Sequence, residues 1–285
     1  MKRVAWRRAD EGVAASIGTM LAVLVMLALL TMFTTSWAPE WTKSKEAEHM
    51  RLVESQMSNL KALVDSLSLS GNTNAVVSSP ITLGSSGVPL FSSDATGTLS
   101  LKSSYGTTYN TFNVTNSTGT YERVAYGSIV YESHNTEFLD QEFMYESGAI
   151  IVSQGKSYVV SIGPGLIIQN VSGRLDLAFT LISIYSDGTE YTSDGTVGVQ
   201  CRLVSEKIST TTTWSVPETV YVNITSPAYE AWYDFFGRLI PKNHVGSGDY
   251  DISIDTVKEM VCVEFRNVAS VTSDYVIVGA NLDLS

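Results

Sequence analysis

The chain has 285 residues, and its 18 Lys and Arg against 29 Asp and Glu give a formal net charge of −11. Nucleic-acid binding requires a basic surface, so this balance argues against nucleic acid as a partner. The stretch after residue 71 is long enough for one large or two small β domains.

The first predicted element is an apolar helix, because residues 13–39 contain no charged side chain. About 20 apolar residues cross the hydrocarbon core of a bilayer as a helix, and a helix satisfies its own backbone polar groups there. We therefore predict a basic leader over residues 1–12 and a transmembrane helix over residues 13–38, in contact with membrane lipid. The leader carries Lys2, Arg3, Arg7 and Arg8, which predicts a cytoplasmic N-terminus and an extracellular C-terminal domain.

The processing of this segment has two interpretations. An ordinary secretory signal fits poorly, because such signals have apolar regions of roughly 7–15 residues that end at an A-x-A-like site. One interpretation is an uncleaved single-span anchor. The other is removal of the leader alone, since Gly12 and Val13 place a small residue between the charged leader and the helix.

The second interpretation is favoured by a resemblance in the helix itself. Residues 14–21, AASIGTML, resemble the V-S-P-V-I-G-T-I-L core of archaeal type IV pilins, with the best match at Ile17, Gly18, Thr19 and Leu21. The family's proline is Ala15 here. The resemblance implies a class III signal peptide that a prepilin peptidase cuts at Gly12/Val13 or one bond to either side. The stretches GSIVYES (127–133) and YESGAII (145–151) look like archaeal surface proteins that join this N-terminus to a β-rich ectodomain.

A second helical segment follows over residues 39–70. Its apolar residues are spaced 3-4-3-4-3, the pattern of a helical packing seam over nearly three heptads. These seam residues are Met50, Val53, Met57, Leu60, Val64 and Leu67. Gly71 is a suitable C-terminal residue for the helix. In pilins such a stripe lies against the subunit's own sheet; a stalk that docks on the ectodomain is the plainer alternative.

The rest of the chain is predicted to be a β structure. Residues 71–97 are rich in Ser, Thr and Gly and are predicted as a connector with edge strands. Residues 98–285 show alternating patterns separated by turn signals, which predicts an extracellular antiparallel β domain, sandwich-like in architecture. The central strand is predicted at 174–185. Other strands are predicted at 98–102, 124–131, 149–153, 158–162, 196–207, 220–224, 251–257, 260–268 and 275–280.

One short aromatic helix interrupts the strands. Ser226 and Pro227 are suitable as N-cap and first helical residue. Aromatic and aliphatic residues then recur at helical spacing: Tyr229, Trp232, Tyr233, Phe236, Leu239 and Ile240. Such a stripe binds a carbohydrate ring or a partner subunit in some proteins, and more commonly closes one end of a sandwich. The fold class is thus a long transmembrane and amphipathic N-terminal helix followed by an all-β antiparallel sandwich-like ectodomain with one short aromatic helix.

Two cysteines permit one disulfide in an extracellular domain. Strand alternation places Cys201 with Val199 and Leu203 on an inward face, whereas Cys262 falls opposite Val261 and Val263. Two separate thiols are therefore the alternative to a Cys201–Cys262 bond.

A weak calcium candidate lies near the C-terminal end. Asp249, Asp251 and Asp255, together with Ser253, have the alternate spacing that directs oxygen ligands to one side. The EF-hand pattern stops there, because Ile254 replaces its glycine and Met260 its glutamate. An outward polar strand face is the alternative, and we expect no metal and no cofactor.

Four N-x-[ST] sequons mark candidate N-glycosylation sites if the domain is translocated. They are Asn113, Asn116, Asn170 and Asn223. Asn113 and Asn116 are favoured because they lie in a predicted polar loop, whereas Asn223 lies within a predicted strand.

No enzymatic motif stands out. His134 is near Ser133, Glu137 and Asp140, but G-x-S-x-G, H-E-x-x-H and P-loop patterns do not occur. The acids Glu137, Asp140, Glu142 and Glu146 would need a defined separation across a cleft to act as a glycosidase pair, and a solvated loop is the simpler interpretation.

We therefore expect a non-enzymatic pilin-like surface protein whose partners are prepilin peptidase, filament assembly machinery and other pilin-like subunits. At 285 residues a minor or tip component is favoured over a major subunit. The alternative is an uncleaved single-span protein whose ectodomain binds an envelope or extracellular ligand.

Overall fold

A computed structural model describes the backbone of residues 2–87, 92–103 and 110–283, and the side chains of these residues from residue 15 onward. The N-terminal part is one long helical rod. Helix α1 (Lys2–Met32) continues through a π-helical turn (Phe33–Trp37) into α2 (Ala38–Ser70). Gly71 ends the rod with a left-handed φ of 62°, as the sequence predicts. Gly12 and Val13 lie within α1, but their side chains are outside the described part.

Pro39 explains the π-helical turn. Proline has no backbone N–H, and its ring collides with the carbonyl four residues earlier in a regular α-helix. The widened turn relieves this collision, and the N–H of Ala38 bonds to the carbonyl of Phe33, five residues back. The rod therefore passes Pro39 without a break.

Fifteen strands follow within the described residues, and a third helix, α3 (Tyr229–Lys242), lies between the thirteenth and fourteenth. The strands are β1 (Val76–Thr82), β2 (Thr96–Lys102), β3 (Thr111–Asn116), β4 (Glu122–Tyr126), β5 (Ser128–His134), β6 (Gln141–Glu146), β7 (Ala149–Gln154), β8 (Ser157–Ile162), β9 (Leu166–Val171), β10 (Arg174–Tyr185), β11 (Glu190–Ser193), β12 (Thr196–Leu203), β13 (Ile208–Thr225), β14 (Tyr250–Asp255) and β15 (Met260–Asp283).

The strands form two sheets. The larger sheet runs β1-β12-β15-β13-β3-β4, with β10 and β14 also paired to β15 and β9 paired to β10. The smaller sheet runs β11-β2-β5-β6-β7-β8. All pairs among the described strands are antiparallel except β10 with β15. The predicted fold class, a long N-terminal helix followed by a mostly antiparallel β domain with one short helix, is confirmed.

Two apolar cores lie on opposite faces of the smaller sheet. Val130, Met144 and Ile151 contribute to the first core, which also contains α3, β3, β9, β13 and the beginning of β15. Tyr131 and Tyr145 contribute to the second core, which also contains α2, β1, β12 and the end of β15. Strand alternation sends neighbouring residues to opposite faces, so one sheet helps to form both cores.

The seam of helix α2 lies inside the second core. Met50 and Leu67 are each 2% exposed, and the other four seam residues, Val53, Met57, Leu60 and Val64, are fully buried. The helix packs on β1, β12, β6 and β7 of its own chain. The stripe is therefore covered within one subunit.

Several element boundaries differ from the predicted ones. The predicted strand 124–131 is two strands, because Gly127 has a φ of 85° and a Cβ there would collide with the Ile184 carbonyl oxygen. The predicted strands 260–268 and 275–280 are one strand, β15. Helix α3 begins at Tyr229 rather than at Pro227, and Pro241 lies in its last turn. The central strand 174–185 has the predicted bounds.

Candidate functional site: the exposed apolar helix and its attachment

In the apolar half of the rod, from Ala15 to Trp37, every side chain is exposed except that of Phe33, which is partly buried. The other large side chains are more than half exposed; Met20 and Met26, for example, are 71% and 74% exposed. Among the described residues this is the helix that is long and apolar enough to cross a membrane, and none of its most apolar window is buried. An apolar surface of this size is a binding surface for lipid or for other protein.

Aromatic and basic side chains mark the end of the apolar surface. Trp37 and Trp41 are 64% and 56% exposed, and the Lys45 ammonium lies 5.5 Å from the centre of the Trp41 ring. Trp is enriched at membrane–water interfaces. From Ala15 to Trp37 the helix rises about 35 Å at 1.5 Å per residue, which matches a hydrocarbon core of about 30 Å with a margin at one end.

Three threonines near the π-helical turn bond back to the helix. The hydroxyls of Thr31, Thr34 and Thr35 donate to carbonyls three or four residues earlier, at 2.8–3.1 Å. These bonds satisfy hydroxyls that apolar surroundings would otherwise leave unpaired. The polar groups of this turn are thus compatible with an apolar environment.

Glu46 attaches helix α2 to the β domain. Its carboxylate accepts bonds from the N–H and hydroxyl of Thr136, both at 2.7 Å, and from the N–H groups of Glu137 and Phe138, at 2.9 and 2.7 Å. Successive backbone N–H groups of this kind form a concavity suited to an anion. Burial by itself raises the pKa of the Glu46 carboxyl, but these hydrogen bonds outweigh it and the pKa lies below its ordinary value.

The loop that receives Glu46 is shaped by its own side chains. The N–H of Asn135 donates to Asp140 Oδ1 at 2.7 Å, and the N–H of Gln141 donates to the Ser133 hydroxyl at 2.7 Å. The loop joins β5 to β6, so Glu46 fixes the rod to the smaller sheet.

Two further polar contacts fix the orientation of α2. His49 Nε2 lies 3.2 Å from the Tyr131 hydroxyl, which donates to the Leu83 carbonyl at 2.8 Å. Burial lowers the pKa of His49 below its ordinary value, so the ring is neutral at pH 7. Gln56 bonds both to the N–H and to the hydroxyl of Thr82, at 2.9 and 3.0 Å. These contacts hold the rod against β1 and β5.

The two cysteines are not joined. Cys201 is buried in the second core and Cys262 is half-buried, and both are free thiols. Cys201 lies opposite Ala280 on β15, eighteen residues further along that strand than Cys262. The structure therefore has the two separate thiols that the sequence left as the alternative, because Cys201 on β12 lies beside one end of β15 and Cys262 lies near the other end.

The three aspartates of the calcium candidate do not converge. Asp249 accepts a bond from Asn267 at 2.6 Å, and Asp255 accepts bonds from the N–H groups of Val257 and Lys258 at 3.0 Å each. Asp251 is exposed on β14. No group of three His, Cys, Asp or Glu side chains that could hold a metal occurs in the described part of the chain.

Four of the candidate catalytic residues share one open groove of about 410 Å³, which Glu132 and Tyr158 also line. They are Ser133, His134, Asp140 and Glu142. Burial and the facing Glu132 raise the pKa of Glu142, and Lys102 opposes this. Glu137 is a loop residue whose N–H binds Glu46. Ser133 bonds within its own loop, and His134 bonds to the Thr98 hydroxyl at 2.8 Å.

Glu146 is not a loop residue, contrary to its grouping with the other acids. It ends β6, is fully buried, and accepts a bond from the Ser226 hydroxyl at 2.8 Å, while its Oε1 has no hydrogen-bond partner among the described residues. Burial raises its pKa to about 8. Strand alternation with Met144 is the signal that predicts its inward direction.

Sequence reasoning also missed Glu46. It precedes Met50 by four residues and so continues the 3-4 spacing of the seam toward the N-terminus. A charged residue at a seam position predicts a buried carboxylate that needs partners.

The four sequons differ in accessibility. Asn116 is 3% exposed and lies at the end of β3 rather than in a loop. Asn113 and Asn223 are half-buried and lie opposite each other on β3 and β13. Asn170 is exposed at the end of β9. The prediction of a polar loop at Asn113 and Asn116 is therefore wrong, because both residues belong to the paired strand β3.

Comparison with known proteins gives one family. Residues 90–275 match a family described as "Family of unknown function (DUF7289)". No curated protein and no solved structure matches the chain. The matched range begins after α2 and includes most of both sheets.

Proposed function

The chain belongs to this family of unknown function, and from its own structure we propose that it is a pilin-like cell-surface subunit with a structural or adhesive role. In this proposal α1 carries a class III signal, the N-terminus is cytoplasmic and the β domain is extracellular. A minor or tip component of a type IV pilus-like filament suits its size.

The contrast between the two halves of the rod carries the proposal. The seam of α2 is buried in its own β domain, whereas the apolar side chains from Ile17 to Trp37 are exposed, apart from the partly buried Phe33. Because the seam of α2 packs on the β domain of its own chain, the apolar half of the rod is the part that is exposed to lipid or to other subunits. This division suits a subunit that is embedded in a membrane before assembly and packs against other helices afterward.

The attachment at Glu46 supports the same role. Four hydrogen bonds join the helix to the β5–β6 loop just beyond Trp37 and Trp41. The β domain is thereby held at a fixed position on the rod, close to the end of the apolar surface. Such a joint allows the domain to be presented in a defined orientation, as assembly with other pilin-like subunits requires.

The test is the N-terminal sequence of the native protein in the membrane fraction and in material sheared from the cell surface. We expect a mature start at Val13, or within one residue of it, in the sheared material. An intact Met1 or Lys2 that is confined to membranes would overturn the filament proposal.

That second outcome would favour the alternative, an uncleaved single-span surface protein. The observation on its side is the pair Trp37 and Trp41 with Lys45, which suits permanent residence at a membrane interface. The β domain would then bind an envelope or extracellular ligand directly.

A further inference from the structure

The hairpin between β9 and β10 presents an open N-glycosylation sequon. Asn170, Val171 and Ser172 are all exposed at its tip. The tip is shaped by left-handed residues, with φ of 55° at Ser172 and 83° at Gly173. Asn170 Oδ1 accepts a bond from the Gly173 N–H at 3.0 Å, and its Nδ2 donates to the His244 carbonyl at 3.2 Å. An amide nitrogen has two hydrogens, so one remains for a glycosidic bond.

The asparagines of the other three sequons are less accessible in the folded domain, because they are buried, hydrogen-bonded or within paired strands. Asn116 Nδ2 donates to the hydroxyls of Thr118 and Thr120, at 2.7 and 2.9 Å, which uses both hydrogens. Asn113 Nδ2 donates to Glu122 at 3.2 Å, and its strand is paired on both sides. Asn223 lies between Asn113 and Cys262 in the middle of the larger sheet. A glycan at Asn113 or Asn223 would lie on the face of paired strands within the sheet, rather than at an exposed turn.

Strand β9 also has a surface that a glycan would protect. Among the described strands it pairs with β10 alone, and Ile167 and Val171 are 57% and 53% exposed along it. An unpaired strand edge is a template for association with another chain. Strand alternation places Ile167 and Val171 on the face opposite Asn170, so a glycan at Asn170 would act on the backbone edge and not on these side chains. A bulky, hydrated group at Asn170 would cover this edge.

We propose that Asn170 carries an N-linked glycan that shields the β9 edge. The donor would be an oligosaccharide linked to a lipid phosphate. The bond from Asn170 Nδ2 to the sugar C1 forms and the bond from C1 to the phosphate oxygen breaks. The lipid phosphate leaves with the electron pair, and Nδ2 loses one proton to a base. The inference rests on the extracellular placement in the proposed function.

The test is peptide mass spectrometry on the full chain isolated from its native membranes. We expect a sugar mass on the peptide that contains Asn170. Asn170→Gln should remove it, and so should Ser172→Asn, which destroys the sequon while keeping a residue type that tolerates a left-handed φ. The matched control, Asn113→Gln, should leave the modification unchanged.

Surface labelling of lysines on intact cells separates this inference from the proposed function. If the β domain is labelled and Asn170 is unmodified, the glycosylation inference is overturned and the extracellular placement stands. If the β domain cannot be labelled from outside, the placement fails and the inference fails with it. A sugar mass that persists in Asn170→Gln would also overturn the assignment to this residue.

Discussion

A single carboxylate, Glu46, makes four hydrogen bonds across the joint between helix and β domain. We expect Glu46→Gln to lower the free energy of unfolding by about 2 kcal/mol, because hydrogen bonds to a charged acceptor are worth more than those to a neutral one. Urea unfolding of the detergent-solubilised chain measures this. Glu48→Gln is the matched control, since Glu48 is exposed two residues away; equal effects would contradict the assignment.

The same residue makes stability depend on pH at the acid end. The pKa of Glu46 is lowered in the folded chain from an ordinary value of 4.5, so its contribution is fully present above pH 4.5 and is lost as pH falls through the lower folded value. We expect Glu46→Gln to flatten the fall in stability below pH 4.5. The control Glu48→Gln should keep the profile of the natural chain.

Glu146 has the opposite pH dependence. Its folded pKa is raised from 4.5 to about 8, so the folded chain holds a proton that the unfolded chain has lost, and stability falls as pH rises between these values. We expect Glu146→Gln to be more stable than the natural chain at pH 8 by at least about 1 kcal/mol, and similar to it near pH 4.5. Thermal unfolding at both pH values checks this, with the exposed Glu230→Gln as control.

At the scale of elements, the stripe of α2 is the main contact between rod and domain. Leu60 is fully buried whereas Leu52, on the same helix, is 46% exposed. We expect Leu60→Ala to cost about 2–5 kcal/mol of unfolding free energy, and Leu52→Ala to cost about 0.5 kcal/mol or less. Denaturant unfolding of both variants tests this, and similar costs would show that the seam does not determine stability.

Helices were more predictable from sequence than strands. The apolar run and the 3-4 spacing indicate the rod because both signals are local and repeat over many residues. Strand β6 (Gln141–Glu146) and the first part of β13 were missed because neither alternates clearly: β6 has three successive apolar residues between polar ones, and the first part of β13 is a polar, threonine-rich run. Gly127 and the π-helical turn at Phe33–Trp37 depend on contacts with Ile184 and on the effect of Pro39, and pattern alone does not show these.

The candidate site was also predictable only in the parts that depend on local sequence patterns. The seam residues and the apolar helix follow from periodicity. The partners of Glu46 do not, because residues 136–138 lie ninety positions away in sequence. The choice between a Cys201–Cys262 bond and two separate thiols stayed open in the sequence for a related reason: Cys262 and the partner of Cys201, Ala280, belong to one strand that sequence patterns divide in two.

At the scale of the whole molecule, the longest continuous run of exposed apolar side chains among the described residues lies on the rod before α2, whereas exposed apolar residues on the β domain are more scattered. We expect a chain shortened to begin at Pro39 to be monomeric without detergent, because the stripe of α2 stays buried in its own domain. Size-exclusion chromatography with light scattering measures this against the full chain, which should require detergent. Self-association of the shortened chain would show that a further apolar surface lies on the β domain.

The passage of β10 and β15 through both apolar cores has a mechanical consequence. Residues of β15 from Val261 to Val271 belong to the first core, and those from Val276 to Ala280 to the second. A force applied to the N-terminal rod is transmitted to the second core through α2. The shared strands β10 and β15 then transmit it to the first core. We therefore expect the β domain to unfold under tension in one cooperative step, rather than one core after the other.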